Sequence, residues 1–176
     1  MCVVDAAAKE AMVARFLRDH PRAGRDSAAH PALRGCAEVP WADFPGCPAG
    51  LPALFHALLD ERAAAEAARV LTNVLLDGVF RMGAAMPAAL PFVLRLAVDP
   101  DVPVRSALLD IVAVAAELAR PVDPEDERAV LLLGPDADHP ERARCRAVLA
   151  SHPALLRTLP DGTLPDDMLP DGALPA

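Results

Sequence analysis

Two segments in the middle of the chain share one pattern and lie about 40 residues apart. Leu51-Pro52-Ala53-Leu54 aligns with Leu90-Pro91-Phe92-Val93, and each belongs to a stretch whose apolar residues recur at helical spacing. An acidic turn follows in each unit, and a second apolar stretch begins near Arg62 or Arg105. A helix pair that recurs at this period indicates an α-solenoid, because one pair cannot bury its apolar face without a neighbouring pair.

Composition favours the same all-α fold class. Hydrophobic residues make up 53% of the chain but aromatic residues only 3%, so Ala, Leu and Val supply most of the apolar mass. Ala and Leu lead the scale of helix propensity, whereas strands favour β-branched and aromatic residues. Periodicity and capping signals predict helices over 5–18, 51–59, 62–80, 86–97 and 103–119, with weaker candidates at 125–133, 139–150 and 151–158.

The chain divides into a helical repeat domain over 1–158 and a low-complexity tail over 159–176. Within the domain, 50–119 holds the two clearest helix pairs, and 21–48 reads as a long loop with at most one helical turn. The tail repeats the pentapeptides LPDGT, LPDDM and LPDGA. Regular Pro forbids a helix, so the tail is predicted to be disordered or a string of turns.

Charge and hydropathy limit the partners. The formal net charge of −8 argues against nucleic acid, because phosphate binding needs clustered Lys and Arg, and it favours a basic protein partner. The N-terminus lacks a secretory pattern, and the most apolar run, 102–118, is too short and too charged to span a bilayer. We therefore expect a cytoplasmic protein without membrane contact, whose cysteines stay reduced.

The segment 41–119 resembles the HEAT-like repeat proteins common in actinobacteria. The matching features are Trp41, the Leu51-Pro52-Ala53-Leu54 opening, a helix pair that ends near Gly78, and a second pair opened by the segment 85–93. The resemblance implies an adaptor protein, and some members of this group act as immunity proteins that neutralise a toxin of the same cell. Members often carry a His-Gln pair just before the glycine, where this chain has Leu76 and Asp77.

One polar stripe is the candidate binding surface. Its residues follow one another at i+4, i+3, i+4 and i+4, which places them on one face of the predicted second helix. The stripe consists of Arg62, Glu66, Arg69, Asn73 and Asp77, extended by Arg81 and Arg105. The plain alternative is a solvated helix face with ordinary charge pairs. Trp41 and Phe44, in the long loop, are expected to fold back onto the helices and are candidate interface anchors.

Sites for metal or catalysis find little support in the spacing of residues. His30, Cys36, Cys47 and His56 do not form the close ligand pairs of a zinc site. His139 and Cys145 are six residues apart and point away from each other on a helix. We predict no catalytic residue, no metal and no cofactor.

The sequence as a whole favours a non-enzymatic protein–protein interaction module, with toxin immunity as the leading specific function. A non-catalytic scaffold or regulatory subunit of a larger complex is the main alternative, and an enzyme with an unrecognised site is the third. The identity of the partner and the oligomeric state stay open.

Overall fold

A computed structural model describes residues 5–23, 30–160 and 162–164. The described part is mostly helical, which confirms the all-α class. Its helices are α1 (Ala6–Asp19), α2 (Leu51–Ala57), α3 (Ala64–Leu75), α4 (Met86–Ala97), α5 (Arg105–Ala119), α6 (Glu127–Leu133), α7 (Pro140–Ser151) and α8 (Pro153–Leu156). One antiparallel hairpin, β1 (Leu76–Gly78) and β2 (Arg81–Met82), follows α3 directly.

Local sequence explains where several helices begin. The Asp5 carboxylate accepts a hydrogen bond from the backbone N–H of Ala8 at 2.7 Å, so Asp5 caps α1 as predicted. Prolines stand in the first turns of α2 and α4, where their missing N–H would have no partner in the helix. Pro52 of the first aligned segment thus helps to start α2, whereas Pro91 of the second aligned segment lies inside α4, which Pro87 helps to start.

The helices pack as two pairs that are consecutive in sequence, with further helices against them. α2 packs on α3 and α4 on α5, while α3 also contacts α5. The Phe55 ring of α2 lies 5.6 Å from the Phe92 ring of α4, measured between centroids. α1 covers α3 on one side, and α7 packs against both α4 and α5 on the other. The Leu, Ala and Val side chains between these helices form one continuous core.

The end of α3 differs from the prediction of a helix over 62–80. The helix stops at Leu75, and the chain turns back at Val79 and Phe80 so that Leu76 pairs with Met82. The backbone N–H of Gly83 then donates to the carbonyl of Leu75 at 2.7 Å. A Cβ on Gly83 would lie 3.1 Å from that oxygen, so the absence of a side chain permits this close return of the chain.

The segment predicted as a loop over 21–48 is more ordered than expected. Its described residues contain three short 3₁₀ turns, Pro31–Leu33, Cys36–Glu38 and Trp41–Asp43. The side chains of Leu33, Cys36 and Trp41 are buried in the core, which explains why the segment holds a defined path.

The described start of the repetitive tail contains a turn, which is one of the two predicted forms of the tail. Leu159 and Leu164 are buried and belong to the hydrophobic core. The prediction for residues 165–176 lies outside the described residues.

Candidate interaction surface

The predicted polar stripe is only partly continuous in the structure. Glu66, Arg69 and Asn73 lie on the outer face of α3, whereas Arg62 is in the turn before the helix. Arg69 binds Glu66 through two hydrogen bonds, Nη2 to Oε1 at 2.6 Å and Nε to Oε2 at 2.8 Å. This hydrogen bonding from Arg69 lowers the pKa of the Glu66 carboxyl. The Asn73 side-chain amide donates to the Arg69 carbonyl at 2.8 Å, so one of its N–H groups is already bonded to the backbone of the same helix.

Asp77 does not belong to the helical stripe, contrary to the prediction. It lies in β1, and its carboxylate accepts a hydrogen bond from the buried ammonium of Lys9 in α1. The reason is the early end of α3 at Leu75, which removes Asp77 from the helical register. Its role is therefore to pair a buried cation.

Arg81 lies in the hairpin, whereas Arg105 lies at the start of α5. Arg81 is exposed in β2, close to the hairpin turn. Arg105 begins α5 and is half-buried, with its Nε donating to the Ala97 carbonyl at the end of α4, 2.9 Å away. Arg105 thus satisfies a helix C-terminus, where a cation is favourable. It joins the two helices of the second pair.

Trp41 is an interior residue, which corrects its prediction as an interface anchor. Its ring centroid lies 5.9 Å from that of Phe55 and 6.0 Å from that of Phe92, and the indole Nε1 donates to the Cys36 carbonyl at 2.8 Å. Phe44 is half-buried beside Trp41, with 6.2 Å between the ring centroids. The expectation that these aromatics fold back onto the helices is confirmed, and burial removes Trp41 from any contact surface.

The hairpin turn presents an apolar pair that sequence reasoning missed. Val79 is 51% exposed and Phe80 is 42% exposed, although both side chains are apolar. They follow the outer face of α3 and precede the exposed Arg81. The signal that could have found them is Asp77-Gly78, a turn-forming dipeptide at the end of an apolar run.

A small polar cavity of about 260 Å³ lies at the base of this hairpin. Asp77 and Arg81 from the two strands line it, together with Asp5 and Lys9 from the first turns of α1. Lys9 Nζ also donates to the Val74 carbonyl at 2.7 Å, so the hairpin base is fastened to α1. The exposed turn therefore projects from a firmly held base.

Of the three cysteines in the described part of the chain, Cys36 and Cys145 are buried and Cys47 is half-buried. Burial raises the pKa of Cys36 and of Cys47 to about 11, and that of Cys145 to about 12. Each thiol therefore stays protonated at neutral pH, which disfavours nucleophilic chemistry. Within residues 5–23, 30–160 and 162–164, no three His, Cys, Asp or Glu side chains are grouped closely enough to hold a metal ion.

A second, open cavity of about 410 Å³ lies beside the start of the 3₁₀ segment. His30 Nε2 is 3.5 Å from an Asp99 carboxylate oxygen there, while His30 Nδ1 accepts a hydrogen bond from the N–H of Ala32. The Arg95 guanidinium lies over the Phe92 ring, 4.7 Å from its centroid. His30 thus joins the start of the 3₁₀ segment to the turn after α4, and Arg95 Nη1 of α4 donates to the Arg34 carbonyl of that segment at 3.3 Å.

No protein-family model, curated protein sequence or solved structure matches this chain. In the described part of the chain, no helix has both the length and the apolar character needed to cross a bilayer.

Proposed function

We propose that this chain is a protein-binding module whose contact surface is the Val79–Phe80 turn together with the outer face of α3. The observation that carries the proposal is the exposure of two neighbouring apolar side chains at a projecting turn. When a partner covers an exposed phenylalanine, apolar surface is removed from water, which favours binding. Aromatic residues are also frequent anchors of interfaces. We call Val79 and Phe80 the hairpin tip.

The charged surroundings of the hairpin tip suit this role. Arg81 follows the tip directly, and the Glu66–Arg69 pair lies on the helix that leads into it. Polar groups at the rim of an interface select the partner and its orientation, while the apolar centre supplies most of the affinity. The net charge of −8 would steer the chain towards a basic partner.

We further propose that the helices form a short HEAT-like α-solenoid. Support comes from the order of contacts, in which first helices meet through Phe55 and Phe92 while the second helices α3 and α5 also touch. α7 packs on α4 and α5, where a third pair would follow in such a stack. In such a stack the second helices line one side, and that side would include α3 and its hairpin.

The specific role proposed is that of a cytoplasmic immunity-type protein, which binds a basic toxin one-to-one and covers its active surface. Two features support it: the acidic charge of the chain, and a contact surface that the scaffold holds in place through Lys9 and Gly83. Binding by a preformed surface loses little conformational freedom, which favours tight complexes.

The proposal is tested by comparing three tagged proteins as baits in lysate of the native cell. The wild type is compared with the Val79→Ser/Phe80→Ser variant and with Val114→Ser, a matched change at another exposed apolar side chain on α5. The expected result is one stoichiometric partner that the wild type and the Val114→Ser variant retain and that the tip variant loses. Binding that is equal for all three baits contradicts the assignment of the surface.

The immunity role requires a second measurement with the purified partner. One equivalent of the chain should abolish the activity of a toxic partner, and affinity should weaken as salt is raised, because charge steering is screened. Several partners captured together, with none of them inhibited, would instead indicate a scaffold or regulatory subunit.

A further inference from the structure

The first pentapeptide of the tail shows how this repeat uses its leucines. Leu159 and Leu164 stand five positions apart in the LPDGT-L sequence, and both are buried in the core. Between them the Thr163 N–H donates to the Pro160 carbonyl at 3.1 Å, and the Thr163 hydroxyl donates to the same oxygen at 2.7 Å. Gly162 has a φ of 78°, a conformation that glycine adopts without strain. One repeat is therefore a buried leucine, a tight turn and the next buried leucine.

The same pattern continues in the sequence beyond Leu164. Leu169 and Leu174 follow at the same spacing of five, Pro165 and Pro170 repeat the proline of the turn, and Gly172 repeats its glycine, whereas Asp167 stands at the glycine position of the middle repeat. The sequence thus supplies two more leucines in the register that is buried in the first repeat. Each repeat also carries an Asp directly after its Pro, a residue type that favours turns.

α6 offers an apolar surface that lacks a cover among the described residues. Leu131 is 89% exposed and Leu132 is 55% exposed, and α6 contains no buried residue. The helix is held by its ends instead. The Asp126 carboxylate accepts from the N–H groups of Arg128 and Ala129, and Arg142 of α7 donates to the carbonyls of Leu133 and Gly134.

The length of the tail beyond Leu164 can be compared with that of α7, the helix that is hydrogen-bonded to the end of α6. Arg142 connects the first turn of α7 to the end of α6, whereas the last residue of α7 leads into α8 and the tail. α7 has 12 residues, which corresponds to about 18 Å of helix. Residues 165–176 can extend for about 40 Å at most, which leaves length for further turns.

From these observations we propose that residues 165–176 dock on α6 of the same chain, with Leu169 and Leu174 covering Leu131 and Leu132. Arg128, exposed one turn before these leucines on the same face, is a cation for the aspartates of the repeats. The tail is then a set of leucine anchors that complete the third helix pair. This inference stands independently of the proposed binding function, since it concerns α6 and not the hairpin tip.

The test places a photo-cross-linking residue, benzoylphenylalanine, at position 132 in the full chain. After irradiation, Arg157 is the last tryptic site, so the tail is released as the peptide 158–176 and fragmentation of that peptide locates the link. The expected result is a link within 165–176, formed inside one chain. The same residue placed at 114, on α5, serves as the matched control and should give no such link.

Two further measurements decide between the occupants. In a mixture of ¹⁵N-labelled and unlabelled chains, a link between chains would overturn the proposal in favour of a second copy on α6. Leu169→Ser/Leu174→Ser should abolish the link and raise amide hydrogen exchange in residues 127–133, while circular dichroism of the core stays unchanged. The absence of any link in the wild type, or exchange that the double variant does not alter, would also overturn the proposal.

Discussion

The ammonium group of Lys9 in α1 binds the carboxylate of Asp77 in β1, and this pair fastens the hairpin to the first helix. Lys9 is the single lysine of the chain and its side chain is 3% exposed, whereas Asp77 is 38% exposed. Water can therefore solvate the Asp77 carboxylate when Lys9 is removed, but it has little access to the Lys9 ammonium when Asp77 is removed. That difference leads to an ordered prediction for the variants of this pair.

Asp77→Ala should destabilise the protein more than Lys9→Met. Removing Asp77 leaves a buried cation that still donates to the Val74 carbonyl but has lost its counter-charge, and breaking such a pair costs about 3 kcal/mol. Removing Lys9 leaves a carboxylate that water can reach, and the methionine fills much of the same space. Urea unfolding of both single variants and of the double variant measures the order.

The double variant is the internal control for that order. Lys9→Met/Asp77→Ala should be more stable than Asp77→Ala alone, because no unpaired buried charge remains. Glu66→Ala, which breaks the exposed pair with Arg69, should change the free energy of unfolding by roughly 0.5 kcal/mol or less. If Lys9→Met proves the most damaging of the set, the burial argument is wrong.

A second prediction concerns acid pH and the carboxylate of Asp136. Partial burial would raise the pKa of this group, but hydrogen bonds from Arg146 and Arg142 outweigh that effect and the pKa is lowered. A lowered folded-state pKa means that the contribution to stability is fully present above about pH 4, the unfolded value, and is lost as pH falls through the folded value. Asp136→Asn should therefore be less stable than the wild type at pH 7.

The same variant should also flatten the loss of stability in acid. The free energies of unfolding of the wild type and of Asp136→Asn should converge as the pH is lowered below about 4. Protonation of Asp136 in the wild type removes the negative charge that the Asn variant also lacks. Asp138→Asn, at an exposed neighbour, is the matched control and should follow the wild type. Parallel curves for the wild type and Asp136→Asn would contradict this account.

Much of the helical framework could be predicted, because it depends on local pattern. The apolar spacing and first-turn prolines at Leu51-Pro52 and Met86-Pro87 predicted α2 and α4, and the cap at Asp5 predicted the start of α1. The end of α3 could not be predicted in the same way. The apolar period continues through Leu75 and Leu76, and the choice of a strand depends on pairing with Met82 and on Gly83.

The candidate surface was harder to predict because exposure is decided by distant contacts. Trp41 is buried by Phe55 and Phe92, which are remote in sequence. Asp77 pairs with Lys9, which is also remote in sequence, and does not continue the stripe. An aromatic residue in a loop has the same local signature whether a core covers it or not. The hairpin tip was missed for the related reason that its turn was read as the last turn of a helix.

A third prediction follows from the close approach of Gly50 to α1. Gly50 has a φ of −77°, which any residue adopts, yet a Cβ there would lie 2.7 Å from Cγ1 of Val13 and 3.2 Å from Cδ1 of Leu17. Gly50→Ala should therefore destabilise the protein by about 1–3 kcal/mol through overpacking against a stiff valine. Thermal unfolding compares it with Gly46→Ala, where the positive φ is unfavourable but a Cβ would make only an ordinary contact, 3.9 Å from the Ala6 Cβ.

A double-variant cycle separates overpacking from other effects at Gly50. Val13→Ala alone should cost stability because Val13 is buried, but combined with Gly50→Ala it removes the clash. The two changes should thus be less damaging together than the sum of the single variants, by about 1 kcal/mol or more. Strict additivity would show that the helix α1 has moved away from Gly50.

The last prediction concerns thiol reactivity. Cys36 and Cys145 are buried, and burial raises their pKa values to about 11 and about 12. Only a thiolate reacts quickly with iodoacetamide, so both residues should stay unmodified in the native protein at pH 7.5 and react fully in denaturant. Mass spectrometry of peptides from a time course measures each site, with Cys145→Ser as a check on the assignment. Rapid native modification of Cys36 or Cys145 would show an accessible thiolate and would revive the hypothesis of a catalytic cysteine.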